Sequence, residues 1–460
     1  MLRPFKTLPQ ALLIFTVVCA LTTRSEAQRQ QTDFWSDPDF VERFIGTYSP
    51  RITVEPRLSP TDKTFLEEFS TLMQTNRQEA RASLASKAAE EGSNATFHMI
   101  LGNFAYQERN LPEAVRHYQA ATRKHKDFLR AHENLGFLYF QLGNEAKARE
   151  HFTTAVKLGA VDKNIFGILG YLFFENEQFI ASETSYRSAL IYEVQNEAWE
   201  FGLAKSILFQ RKYKDATWLF ETLIEKNPQE TEYWELQAEA YLGLGEKLHV
   251  ASNYEVLRRM GSISAENLIT LGDIYVENGF IEAALGVYKE AILARGRLNV
   301  EKPIEAAADL IDAGFYDAAA EVLTEINRSY GNSLDSKMAF VVRKLNAKIQ
   351  AAGNNMSKSI VPLLESMVVE NPLDGDVLIM LADYYAQGGN FEKAEFLYER
   401  AQNLRDFEAK AYYHHGKALV AVEQYREAVR ALERAQDVQP LDHVEDYLVG
   451  VRNVYRAVRN

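Results

Sequence analysis

One pattern governs what this chain can fold into. From Ala95 to Leu298 a 34-residue period repeats six times without insertion or gap. A small residue recurs at Gly102, Gly136, Gly170, Ala204, Ala238 and Gly272. Twelve residues later come Ala114, Ala148, Ser182, Ala216, Val250 and Ala284, and four beyond those a ring: Tyr118, Phe152, Tyr186, Phe220, Tyr254 and Tyr288. Three more residues bring Ala121, Ala155, Ala189, Leu223, Leu257 and Ala291. A period near 34 with this order of residue types predicts a helix–turn–helix unit. Two antiparallel helices approach closely only where both present small side chains. The Gly/Ala position is therefore assigned to the crossing on a first helix, A, and the Ala position to a second, B. The ring on helix B is expected to fill the space between one hairpin and the next, which a single hairpin cannot bury. Gly143, Gly245 and Gly279 fall where a helix C-terminus favours a left-handed residue.

These residues resemble the tetratricopeptide repeat (TPR) family, whose motif runs W-x2-L-G-x2-Y, then A, F, A and a closing P. Leu135-Gly136 with Tyr139, Ala148, Phe152 and Ala155 carry it, as do Leu271-Gly272 with Tyr275, Ala284, Tyr288 and Ala291. Trp234, Ala238, Tyr241 and the closing Pro228 match in part. Departures at Ser182, Val250, Leu223 and Leu257 bear on how tightly those hairpins close. The resemblance implies an all-α fold, a right-handed α-solenoid of TPR helical hairpins behind a short irregular N-terminal segment. It also implies a noncatalytic scaffold whose A helices line a concave surface that holds a partner protein.

Outside the regular array the chain is less uniform. Arg3 and Lys6 precede the apolar run Ala11–Leu21, and Ser25-Glu26-Ala27 offers small residues at −3 and −1, so residues 1–27 read as a secretory signal peptide cleaved before Gln28. Cys19 lacks the small preceding residue that lipoprotein processing needs. The leader holds three basic residues and one acid, so 51 basic and 64 acidic residues become 48 and 63, a net of −15, and the only cysteine is lost with it. An exported chain without disulfides is held by packing alone. Its acidity argues against nucleic acid, which selects clustered basic surface. No later stretch is apolar enough for an integral membrane span. Residues 28–60 form an irregular segment, with Phe34, Trp35, Phe40, Phe44 and Tyr48 among prolines. Residues 61–94 read as a degenerate capping hairpin separated near Asn76, and residues 95–298 as six contiguous repeats. Divergent hairpins are assigned to 299–374, interrupted at Gly353-Asn354-Asn355 and open to reading as a hinge. Two further repeats occupy 375–442, and a C-terminal capping helix 443–460.

Reactive motifs are scarce. There is no HExxH, CxxC, Gly-rich phosphate loop or GxSxG, and no cofactor or metal is expected. His415, next to His414, takes the Leu position of the motif, where packing is expected. Asn94, Asn327 and Asn355 open glycosylation sequons.

Candidate partner-binding residues are the helix A positions not used by the crossing. They are Asn103, Asn134, Phe137, Phe140, Tyr171 and Phe174 in the first three repeats, and Lys205, Glu232, Glu235, Glu239, Glu266 and Asp273 in the next three. An aromatic section leading into an acidic one suits an extended or basic peptide. Packing of the rings between repeats and simple hydration of the acids is the alternative. Asn103 and Asn134 are similar to the carboxylate clamp of some TPR co-chaperones, but Met99 stands in place of its lysine and that mode is not carried over. The opening segment, Asp37 to Tyr48, is similar to that of exported bacterial TPR proteins associated with ExbB–ExbD/TonB or TolQ–TolR-type systems. That resemblance implies a periplasmic adaptor in an energy-transducing envelope complex. A structural part of an outer-membrane assembly or polysaccharide-export machine is the alternative, and an enzyme or small-molecule binder a third.

Overall fold

The computed structural model describes residues 55–294, 299–352 and 360–459. The leader, most of the irregular segment and the interruption at Gly353-Asn354-Asn355 lie outside the described residues, as does the sequon at Asn355. Among the described residues there are 23 α-helices and no strand. The chain divides into two compact units, residues 1–226 and 227–460.

In the first unit, α1 (Pro60–Thr75) and α2 (Arg77–Ala89) make an initial hairpin. It is followed by α3 (Ala95–Gln107) with α4 (Leu111–Lys124), α5 (Leu129–Gln141) with α6 (Glu145–Lys157), α7 (Lys163–Glu175) with α8 (Phe179–Tyr192), and α9 (Glu197–Phe209) with α10 (Tyr213–Lys226). The second unit pairs α11 (Thr231–Leu244) with α12 (Lys247–Arg259), α13 (Ala265–Glu277) with α14 (Ile281–Leu293), and α15 (Glu301–Asp312) with α16 (Tyr316–Tyr330). Next come α17 (Ser336–Ala352) and α18 (Val361–Glu370), then α19 (Gly375–Gln387) with α20 (Phe391–Gln402), α21 (Glu408–Ala421) with α22 (Tyr425–Val438), and α23 (Asp442–Arg459). Within each unit successive hairpins stack on one another, the arrangement of an α-solenoid.

Local chemistry sets the helix boundaries. Ser59 and Asp62 form a reciprocal capping box at the start of α1, and Asn76 both ends α1 and caps α2 through the Glu79 amide. At the A-to-B turns, Arg109, Gly143, Glu177, Arg211, Gly245 and Gly279 all have positive φ, between 58° and 78°. Their spacing is the 34-residue period, so the left-handed turn recurs even where glycine is replaced. Asn110, Asn144 and Asn390 then cap the following B helices.

The crossing is tighter than a small-residue contact alone. A Cβ on Gly136 would stand 2.5 Å from the Phe152 ring, and one on Gly170 2.8 Å from the Tyr186 ring; Gly102 with Tyr118 and Gly272 with Tyr288 repeat the arrangement. This corrects the expected place of the ring. Its first partner is the glycine of its own hairpin rather than the gap to the next. Tyr186 does both, since it also covers Gly202 on α9. The departures from the motif close the hairpins all the same. Val250, Leu223 and Leu257 are buried. Ser182 is buried too, and its hydroxyl donates to the Gly170 carbonyl at 2.7 Å and meets Ser206 Oγ at 2.8 Å. At the far end Leu448 and Val451 of α23 are buried against Leu432, and Val444, at helical spacing from them, is buried too.

Candidate functional site

The twelve candidate residues divide between the units, seven from Asn103 to Lys205 in the first and five from Glu232 to Asp273 in the second. In the first unit all seven are half-buried on A helices. Asn103 Oδ1 accepts from the Tyr118 hydroxyl at 2.8 Å and from Asn134 Nδ2 at 3.2 Å, which ties α3, α4 and α5 together. Phe137 packs edge-on to Phe152 at 4.9 Å, and Phe140 meets Tyr171 of the next hairpin at 6.2 Å. Phe174 sits 5.4 Å from Phe209 and 5.5 Å from Phe179, a three-ring group that spans two hairpins. Lys205 Nζ lies over the rings of Phe174 and Phe201 at 5.2 and 5.0 Å, a cation–π arrangement. Phe140 and Phe174 therefore join neighbouring hairpins, Phe137 packs within its own, and all three stay half-buried.

In the second unit the acids differ in role. Asp273 accepts from the Tyr288 hydroxyl at 2.7 Å, within its own hairpin. Asp383 accepts from Tyr398 in the same way, also at a separation of fifteen residues. A buried tyrosine ring brings a hydroxyl that needs an acceptor, and the residue after the helix A small position supplies it. Glu235, Glu239 and Glu266 are exposed, and Glu232 is half-buried. Loss of hydration among the helices pushes the Glu235 and Glu239 carboxyls up, with the Glu232 charge adding to the rise at Glu235. Burial raises Asp273 as well, against the lowering by Tyr288.

Three features escaped the sequence reading. His98 and His117 bring their Nδ1 atoms to 3.3 Å, and His132 and His151 to 3.0 Å. Both members are displaced by 34 residues, so the repeat register itself held the signal. Burial lowers His98 to about 4, helped by the charges of His117, Lys124 and Arg123. Burial likewise takes His151 to about 4, helped by His132 and Lys147. Second, Lys410, Lys348 and Lys344 gather around Asp376 at 2.6, 3.7 and 3.8 Å. They hold its carboxyl below the usual range against the cost of burial, and so brace α17, α19 and α21. Third, Glu55 reaches Arg130 at 3.0 Å, a contact between residues too far apart in sequence for any local rule. His415 stacks on Tyr398 at 5.1 Å, and its Nδ1 meets Gln402 Nε2 at 3.0 Å. His414 Nδ1 lies 2.8 Å from Asp383 Oδ2. The sequon residue Asn94 caps α3 and donates to the Arg57 carbonyl at 2.8 Å. No group of three or more potential metal ligands occurs among the described residues, and no helix there is long and apolar enough to cross a membrane.

Comparison with known proteins extends the picture. One tetratricopeptide repeat profile matches residues 105–163, and a second matches residues 375–406 and 409–440. A search of curated proteins finds no match. Among solved structures, a tetratricopeptide repeat protein from Parabacteroides merdae is 20% identical over 50% of this chain and 91% of its own, with a TM-score of 0.29. The P58(IPK) TPR domain is 17% identical over 72% of this chain and 98% of its own, with a TM-score of 0.26. YrrB, a TPR protein with an unusual peptide-binding site, is 16% identical over 47% and 96%, with a TM-score of 0.32. Scores of this size leave the fold to rest on the chain's own helices and glycine–ring crossings. Those crossings and the three matched stretches agree: this chain carries tetratricopeptide repeats.

Proposed function

We propose that the protein is a noncatalytic periplasmic scaffold that holds a partner protein on the helix A faces of its repeats. The observation that carries this reading is the second unit's set of open acids. Glu235 and Glu239 are exposed, yet the helices packed beside them push their carboxyls up by desolvation. A lysine- or arginine-bearing segment laid across α11 and α13 relieves that cost, so an extended basic segment is the favoured ligand. The half-buried rings of the first unit offer apolar anchors to the same class of partner. Export rests on the leader-like residues 1–27, and attachment to an ExbB–ExbD/TonB or TolQ–TolR-type complex rests on the resemblance of the segment Asp37 to Tyr48.

Charge reversal tests the acidic face. Asp273 is spared because it holds Tyr288. Combined Glu235→Lys, Glu239→Lys and Glu266→Lys is expected to lower partner capture at least tenfold, about 1.4 kcal/mol or more, with helicity and melting temperature retained. Unchanged capture removes this face from the interface. Mass spectrometry of what is captured then identifies the assembly. Motor subunits support the energy-transducing complex, whereas secretin, barrel or export subunits point to an export machine.

A further inference from the structure

Three successive A-to-B turns of the second unit carry exposed apolar side chains. Phe280 and Phe315 are the N-cap residues of α14 and α16, and neither makes a side-chain cap. The same place in the repeat is held by Asn110, Asn144 and Asn390, whose side chains accept from amides of the helices that follow. In the remaining regular hairpins it is held by Gln178, Lys212, Glu246 and Gln424. A phenylalanine there gives up the hydrogen bond that asparagine supplies. Burial does not offset the loss. Phe280 meets Tyr275 edge-on at 6.3 Å yet stays 59% exposed. Phe315, Tyr316 and, at the first of the three turns, Leu248 are exposed too.

Stacking brings these turns together. Lys247, the first residue of α12, reaches Glu277, the last of α13, at 2.7 Å. One hairpin further on, α13 packs on α15 and α14 on α16. Leu248 and the three rings therefore line one apolar edge at the turn end of three hairpins. Contiguous exposed apolar surface marks interaction sites, and aromatic side chains are frequent anchors there. Charge narrows the partner. Residues 242–249, 276–283 and 311–318 hold five carboxylates and one lysine, and that lysine is paired with Glu277. Exposed Glu282, Asp312 and Asp317 flank Phe280 and Phe315 in sequence. A second copy of the chain would set like charges against one another at this edge.

We propose that this turn edge docks a short apolar segment of a partner protein that also carries lysine or arginine. It is a second contact surface, separate from the helix A faces, and it stands whether or not those faces bind.

Restoring the capping residue tests it, because the change that removes the rings also suits the fold. Phe280→Asn with Phe315→Asn in the full-length chain is expected to keep or raise the melting temperature. Fluorescence anisotropy is read with short labelled peptides of alternating leucine and lysine, of serine and lysine, and of leucine and glutamate. The unaltered chain is expected to bind the leucine–lysine peptide at least about tenfold more tightly than either of the others, and the double variant to lose that preference. The serine–lysine peptide carries the charge that the acidic helix A face would recognise, so failure of that face leaves the comparison intact. A preference retained in the double variant overturns the proposal, as does a leucine–lysine peptide that binds no better than either of the others. A clear fall in melting temperature assigns the rings to the fold and overturns it as well. So does self-association present in the unaltered chain and lost in the double variant, which assigns the edge to a second copy.

Discussion

At the scale of the residue, the glycine–ring crossing carries the most weight. Phe152 is fully buried on Gly136, and full burial of such a side chain stabilises by about 2–3 kcal/mol. Gly136→Ala forces the ring aside, with an expected loss of about 1–3 kcal/mol in a denaturation experiment. Phe152→Leu added to Gly136→Ala is expected to recover part of it; a fully additive pair shows that the two positions do not touch. The i, i+12, i+16 spacing marked these positions in the sequence, because small and aromatic residues held them in nearly every period, but it led to pairing the glycine with the Ala position of helix B rather than with the ring. Which hairpin received the ring was not legible, since a period cannot distinguish a partner within one repeat from a partner in the next. The asparagines and acids shared this difficulty. Asn103 and Asp273 were assigned to the ligand face, but their bonds to Tyr118 and Tyr288 show that part of what resembled a ligand face serves the fold.

At the scale of the element, the turns and the histidine pairs are open to test. Arg109, Glu177, Arg211 and Glu423 hold left-handed φ values of 58–62°, which cost L-residues roughly 1–2 kcal/mol relative to glycine before the entropy of glycine is counted. Replacement of all four by glycine is expected to raise the melting temperature, and an unchanged or lower value contradicts the turn assignment. Only the glycine-bearing turns announced themselves in the sequence; the others became visible through their backbone angles. The His98–His117 and His132–His151 pairs predict an acid response. With folded values near 4 for His98 and His151, the unfolded state binds more protons between pH 6.5 and about 4. Their stabilisation is thus complete above pH 6.5 and falls as the pH drops, by on the order of 2 kcal/mol per histidine. Replacement by glutamine (His98→Gln with His151→Gln) is expected to flatten the decline in melting temperature from pH 6.5 to 4.5. An unaltered slope assigns the acid response to other groups.

At the scale of the whole molecule, stacked hairpins leave their helix A faces lined by groups that packing uses only in part. Open edges of Phe137, Phe140 and Phe174 in the first unit and open carboxylates at Glu235, Glu239 and Glu266 in the second are the residues left over. The all-α repeat architecture was legible because it is periodic. The Glu55–Arg130 pair was not, because it falls outside the period; nor was the lysine cluster around Asp376, because the residue types that the period repeats do not include that charge pair, although Lys410 lies one period after Asp376. Site-specific photocrosslinking in the native host cell shows which helices hold a partner. A photoreactive residue is placed at Phe140, Phe174, Glu235 or Glu239 on A helices, and at Ile191 or Trp218 on B helices. Intermolecular adducts to a single protein partner are expected from the A positions and few from the B positions. Adducts concentrated at Ile191 and Trp218, with the A positions silent, contradict that expectation.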